Sequence, residues 1–300
     1  MTNTQAISSA RRGILLAGGA GTRLHPATRA ISKQLLPVYD KPMVYYPLTT
    51  LMLAGVREVL VITAPDEAPR FERLLGDGTD WGMRIAYAVQ ARPEGIAQAL
   101  LIARDFLGGK PSALALGDNI HYGADLVGQL READRRTEGA TLFASAVTDP
   151  ERYGVVSFDA AGLATRIVEK PREPESRWAV TGLYFYDALA PQLAADLRPS
   201  ARGELEITDL NNAYLARGAV HVQQLGRGTA WLDAGTHESL LEASQFIHTL
   251  EKRQGLKVGS PEEAAWRNGW IDTAQLAALA RAGGSGSYAT YLAALAAEAR

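Results

Sequence analysis

The chain has 300 residues, 47% hydrophobic and 21% charged, a soluble globular balance long enough to bury about three quarters of its unfolded surface. It contains no cysteine, which excludes disulfide frameworks, thiolate zinc sites, iron–sulfur clusters and cysteine nucleophiles. With 31 basic against 33 acidic residues the net charge is −2, so nothing marks a nucleic-acid binder and phosphate binding must rest on a few placed residues.

Residues 1–12 are polar and lack the apolar core of a signal peptide, and no apolar run reaches the length of a membrane span. The expected compartment is the cytoplasm, with no membrane and no nucleic acid as partner.

Residues 13–17 read as a buried strand running into the glycines Gly18, Gly19 and Gly21. Helical spacing over 42–55 stops at Gly55, and 56–63 and 84–90 read as the next strands. An apolar-periodic helix is expected over 95–104, and a strand over 112–116 that ends at Asp118. This alternation predicts an α/β fold with a Rossmann-like, mostly parallel mixed sheet and helices on both faces. Ligands in such sheets sit beyond the carboxyl ends of the strands, after Ala17, Gln90 and Leu116. The second half reads as strands at 141–147, 155–158, 165–169 and 180–186 with few helices between them. A helix around Ile207–Leu215 stops at Gly218, strands follow at 220–225 and 230–233, and a long helix runs over about 236–254. The alanine-rich tail is helical in two or three pieces, broken near 283–286. The division expected is a catalytic domain over 12–255 and a helical appendage over 256–300.

The strongest local signal is the run Leu16, Ala17, Gly18, Gly19, Ala20, Gly21, Thr22, Arg23, Leu24. Glycines let the backbone turn sharply, and successive N–H groups in such a turn form an anion-binding concavity. Arg23 and the later Lys33 add cations suited to a polyphosphate. Read alone, the loop is equally an ordinary strand-to-helix turn with two solvated basic residues. It is neither a Walker A loop, which needs Gly-Lys-Ser/Thr, nor a dinucleotide fingerprint, since Leu24 stands at the third glycine. Asp118 and Asp233 each end a predicted strand, where an aspartate is ordinarily a cap or turn residue. The five histidines form no metal-ligand pair.

The run from Gly18 to Leu24, with Lys33, Gln34, Leu35, Leu36 and Pro37 shortly after, resembles the signature of sugar-nucleotide pyrophosphorylases. More narrowly, the chain resembles the bacterial glucose-1-phosphate thymidylyltransferases beyond about residue 11, with matches at 32–51, 75–77, 87–90, 116–119, 149–156, 169–171, 180–187, 202–209, 231–235 and 253–258. The resemblance implies that dTTP and α-D-glucose 1-phosphate give dTDP-glucose and pyrophosphate, the first step toward dTDP-deoxysugars such as dTDP-L-rhamnose, with Mg²⁺ on Asp118 and Asp233. It assigns the nucleotide to Leu16, Gly18, Gly19, Gly21, Thr22, Arg23, Lys33, Gln90, Gly95 and Asp118, with Gln90 and Gly95 on the thymine. It assigns the sugar phosphate to Asn119, Tyr153, Gly154, Glu169, Lys170 and Val180. Arg23, Lys33, Asp118 and Lys170 carry the catalysis. It further implies a homotetramer and a dTDP-sugar feedback inhibitor at a second site involving Tyr122, Gly123, Arg227, Lys257 and Val258. Cations at the end of the long helix also suit its dipole without any ligand. The alternatives are uridylyl transfer to make UDP-glucose, a dinucleotide oxidoreductase, and a non-catalytic sugar-nucleotide sensor.

Overall fold

A computed structural model describes residues 7–19 and 21–298, so Ala20 of the glycine loop and the polar residues 1–6 lie outside the described part. Its centre is a nine-stranded sheet. Four strands, β1 (Arg12–Ala17), β4 (Glu58–Thr63), β5 (Arg84–Val89) and β6 (Ser112–Leu116), run parallel in the order β5-β4-β1-β6. Beyond β6 the sheet turns mixed. The long strand β11 (Trp178–Tyr186) pairs antiparallel with β6, with β8 (Ala140–Ala146) and, through its first two residues, with β9 (Gly154–Phe158). Strand β10 (Ala164–Glu169) closes one edge antiparallel to β9, and β12 (Val220–Leu225) closes the other parallel to β8.

The period of two explains how both faces are filled. In β1, Ile14 and Leu16 point to one core and Leu15 and Ala17 to the other; in β11, Tyr184 and Tyr186 oppose Leu183 and Phe185 in the same way. One face is covered by α3 (Gln98–Ile102), α4 (Arg104–Leu107), α6 (Ala190–Ala195) and α7 (Ile207–Leu215). The other is covered by α1 (Tyr45–Leu53), α2 (Ala68–Leu75), α5 (Leu126–Arg135) and the tail helices α9 (Pro261–Arg267), α10 (Thr273–Ala282) and α11 (Ser287–Glu298). Ala264, Ala265, Trp270, Leu276 and Leu292 of the tail share one apolar cluster with Leu15, Leu51 and Val61, so the tail completes the core rather than hanging beside it.

Several expectations shift. The helix expected from Pro42 opens only at Tyr45, because Pro42 pairs with Pro37 in a hairpin of β2 (Pro37–Val38) and β3 (Lys41–Pro42). The helix expected from Gly95 opens at Gln98, since 95–97 are held as loop by the 205 backbone, with Leu205 N–H donating to Glu94 O and Ala97 N–H to Leu205 O. Helices α5 and α6 interrupt the strand-rich second half. Strand β13 (Ala230–Asp233) stands outside the main sheet and pairs antiparallel with β7 (Asn119–Tyr122), bringing Asp233 opposite Asn119. The last long helix, α8 (His237–Gln254), starts from a Thr236–Ser239 capping box and ends at Gly255 in the left-handed region, φ 68°.

Candidate active site

A cavity of about 600 Å³ opens beyond the carboxyl ends of β1, β5 and β6. Its walls include the expected Leu16, Gly19, Arg23, Lys33, Gln90, Gly95, Asp118, Asn119, Tyr153, Gly154, Glu169, Lys170, Val180 and Asp233. Gly18, Gly21 and Thr22 belong to the same loop but not to the wall. Gly21 has φ 61°, a Cβ on Gly18 would sit 2.4 Å from Gln90 Oε1, and Thr22 opens a short 3₁₀ turn that carries Arg23.

Charge gathers in the middle of the cavity. The Lys33 ammonium bonds Asp118 Oδ2, while Asn119 Nδ2 donates to Asp118 Oδ1 at 3.0 Å. Trp231 Nε1 in turn donates to Asn119 Oδ1 at 2.6 Å, which fixes the orientation of that amide. Burial pushes the Asp118 carboxyl up, but the adjacent Lys33 and the Asn119 amide more than offset this and hold it below the usual carboxylate range. Asp233 goes the other way: burial and the negative charge of Asp118 raise it, against Lys33, Arg23 and Arg152. Two carboxylates close enough to repel, backed by lysine and arginine, form the donor set that Mg²⁺ accepts, one or two carboxylates with phosphate and water oxygens. Among the described residues no third carboxylate or histidine joins them.

One end of the cavity is neutral. Gln90 is buried; its Nε2 donates to Gln98 Oε1 at 2.6 Å and to Gly95 O at 3.4 Å. Gly95 has φ 104°, and a Cβ there would lie 2.3 Å from Leu205 O, so only glycine lets these two loops close. The other end is polar and charged. Thr208 Oγ1 donates to Glu169 Oε2 at 2.7 Å, and Lys170 Nζ lies 3.3 Å from Glu169 Oε1. Lys170 itself adopts φ 43°, where a non-glycine residue is uncommon, with its N–H donating to Tyr153 O at 2.9 Å. The Tyr153 ring meets Trp231 edge-on at 4.9 Å.

Sequence reasoning gave no role to Gln34, Arg152, Gly182, Tyr184, Arg202, Glu204, Glu206, Thr208, Asn211 or Trp231, all in the wall. Gly182 had a readable signal, because a glycine inside a strand marks a close approach; a Cβ there would meet Asn119 Cγ at 2.8 Å. Arg202 reaches Glu206 at 2.9 Å and stands 3.7 Å from Glu169, a convergence that depends on the loop before α7 and leaves no mark in the local sequence.

Tyr122, Gly123, Arg227, Lys257 and Val258 lie outside this cavity. Tyr122 Oη donates to Gln254 Oε1 at 3.0 Å, Gly123 packs on Thr229, and Arg227 is exposed in the turn between β12 and β13. Lys257 is engaged with Glu251 at 2.6 Å and with Asp40, and Val258 N–H donates to Glu251 Oε1 at 3.0 Å.

Residues 12–249 match the model of the family described as nucleotidyl transferase. A glucose-1-phosphate thymidylyltransferase of Xanthomonas campestris pv. campestris is 60% identical over 286 residues, covering 95% of this chain and 97% of that protein. One of Neisseria meningitidis is 57% identical over 281 residues, covering 94% and 98%. A crystal structure from Bacillus anthracis, described as a glucose-1-phosphate thymidylyltransferase, superposes with a TM-score of 0.74 at 41% identity, covering 79% of this chain and 95% of that one. A UDP-glucose pyrophosphorylase structure, 22% identical with a TM-score of 0.70 over 80% of this chain and 99% of its own, shares the fold. With a loop, a carboxylate pair and a matching fold in place, the chain belongs to the nucleotidyl transferase family, among the glucose-1-phosphate thymidylyltransferases.

Proposed function

We propose that this protein joins dTTP and α-D-glucose 1-phosphate into dTDP-glucose and releases pyrophosphate. The observation that carries the reading is one cavity with a glycine loop and an amide at one end, Glu169 and Lys170 at the other, and Asp118, Lys33 and Asp233 between. That order matches a base, a chain of phosphates and a sugar laid end to end.

An oxygen of the sugar phosphate attacks the α-phosphorus in line, and pyrophosphate leaves as the P–O bond breaks. The attacking oxygen is already anionic, so no general base is required, and the task is to hold two anions together. Lys170, with Arg202 beside it, holds the sugar phosphate, and Glu169, Tyr153, Gly154, Asn119 and the Val180 backbone orient the sugar. Leu16, Gly18, Gly19, Gly21 and Thr22 shape the nucleotide loop, and Gln90 and Gly95 take the base. Arg23 and Lys33 oppose charge that grows on the phosphates. Asp118 and Asp233 would hold Mg²⁺, which when bound supplies Lewis-acid polarisation of the α-phosphate.

A pyrophosphate-release assay over nucleotides and sugar phosphates tests the reading. The dTTP and glucose 1-phosphate pair should give the highest kcat/KM. Another pair turning over better would overturn it.

We further propose a homotetramer in which Tyr122, Gly123, Arg227, Lys257 and Val258 contribute to a second site for a dTDP-sugar inhibitor, as the resemblance implies. In support, all five stand away from the cavity, and Tyr122, Lys257 and Val258 bond to Gln254 or Glu251 near the end of α8. Titration should find two dTDP-sugar equivalents per chain, one surviving excess dTTP; a single equivalent fully displaced by dTTP would remove the second site. The cytoplasm and a place at the head of deoxysugar synthesis, such as dTDP-L-rhamnose, complete the reading. No helix among the described residues is long and apolar enough to cross a membrane. We read 12–255 as the catalytic unit and 256–300 as the helical part that finishes its core.

A further inference from the structure

The base end of the cavity contains a relay of amides whose polarity is set from outside. Glu94 is exposed, and its carboxylate can only accept; Gln98 Nε2 donates to Glu94 Oε2 at 2.8 Å. The Glu94 backbone N–H can only donate; it donates to Arg92 O at 2.9 Å and shares that hydrogen with Gln98 Oε1 at 3.3 Å. Those two fixed groups leave Gln98 one orientation, with its oxygen turned toward Gln90. Gln98 Oε1 and the Gly95 carbonyl are both acceptors, and both face Gln90 Nε2, at 2.6 and 3.4 Å. Both donors of the Gln90 amide are therefore committed to protein. Its Oε1 has no hydrogen-bond donor among the described residues and lies over Gly18, where an added Cβ would come within 2.4 Å.

We infer that Gln98 is a positioning residue for base selection: it locks Gln90 so that the cavity presents a lone acceptor to the pyrimidine edge. An acceptor at that point matches a base with a protonated N3 between two carbonyls. It meets a lone pair on a base whose N3 is unprotonated and whose neighbour is an amino group. The relay therefore favours keto-pyrimidines over cytosine and does not separate thymine from uracil. A free glutamine could swing by half a turn and offer its N–H instead, at the cost only of a rotation. The relay removes that choice. The inference rests on the reading that Gln90 faces the base.

The test measures kcat/KM for dTTP and dCTP at saturating glucose 1-phosphate and Mg²⁺. Gln98→Leu should cut the dTTP preference at least about tenfold, with the loss in dTTP use falling on KM more than kcat. Glu94→Ala, at an exposed position that does not threaten folding, loosens Gln98 and should cut the preference about threefold. Gln98→Glu combined with Glu94→Gln reverses the outer bond yet keeps an acceptor facing Gln90, and should restore the preference to within about threefold of wild type. A merely structural role would not move the base preference, nor would the reversed pair rescue it. Gln90→Ala separates the two possible failures. If it leaves the preference intact, Gln90 does not face the base and the underlying reading fails. If it abolishes the preference while Glu94→Ala and folded Gln98→Leu leave it intact, the relay alone is overturned.

Discussion

Two buried clusters of lysine and carboxylate lie in this protein, and they are built to opposite ends. In the first, around the hairpin β2–β3 and the end of α8, Lys41 meets Glu251 at 2.8 Å and Lys257 meets Glu251 at 2.6 Å and also bonds Asp40. Two cations face two anions, and a backbone N–H of Val258 adds a further bond to Glu251. Burial pushes the Asp40 carboxyl up, but its bonds from Lys257 and Lys41 carry it below the ordinary range. In the second cluster, Lys33 satisfies Asp118, while Asp233 has no cation within ion-pair distance among the described residues and is pushed up by burial and by Asp118. The comparison separates a fastener from a socket. Charge that is fully paired holds the chain, and charge left open can be spent on a ligand.

The largest effect should come from closing the socket. Asp118→Asn and Asp233→Asn each should lower kcat by about a thousandfold, as losing a preorganised electrostatic group does, while thermal unfolding shows the fold retained. Near-normal turnover at saturating Mg²⁺ in either variant would erase the distinction between the clusters. The mirror experiment cuts the fastener. Glu251→Ala leaves Lys41 and Lys257 buried against a single remaining carboxylate, and should cost about 3 kcal/mol in urea unfolding with kcat little changed. A variant as stable as wild type but slow in turnover would place this cluster in the chemistry.

How far these features could be read from sequence depends on whether they are local. Strand β1 and its glycine loop were legible because five buried residues run straight into Gly18 and Gly19, and the long helix because Thr236 and Gly255 mark its ends. Strand β7 was not: its four residues Asn119 to Tyr122 follow β6 almost at once, and only their pairing with β13 makes them a strand. Helix α5 escaped because its buried residues, Leu126, Leu130 and Ala133, are thinly spread among charges and Gly128. For the site, residues alone left Asp118 and Asp233 as strand-end caps, and the family signature suggested more. Arg202, Thr208 and Trp231 reach the cavity through the packing of separate elements, which no short motif encodes.

A finer probe of the open cluster is Arg23, which is exposed and has no carboxylate within ion-pair distance among the described residues. Its guanidinium stands where a Cβ on Gly235 would come within 3.0 Å of Nη2, beside Asp233. A cation without a carboxylate partner among the described residues is available for charge that develops during transfer. Arg23→Ala should therefore lower kcat about a hundredfold and change the KM for glucose 1-phosphate by less than about threefold. Raised KM with intact kcat would make Arg23 a binding residue and narrow the socket to Lys33 and the two aspartates.

The smallest expected effect tests a third environment, a buried titratable group that belongs to neither cluster. His121 on β7 is 6% exposed, its Nε2 has no hydrogen-bond partner among the described residues, and burial holds its pKa down at about 4. The unfolded chain takes up a proton near the ordinary histidine value of about 6.5, while the folded chain resists until about 4. Between those values the unfolded state binds more protons, so stability falls as pH falls, and the contribution is intact above the upper limit. From pH 7.5 to pH 5 this one residue should remove about 2 kcal/mol. Urea unfolding at both values should show that loss in the wild type and a shallower one in His121→Leu, which cannot titrate. The paired cluster around Glu251 should add little to the slope there, because the partners hold Asp40 in its charged form well below pH 5. An equally steep slope in the variant would transfer the acid sensitivity from the unpartnered histidine to the charge clusters, and would show that the fastener is less secure than its geometry implies.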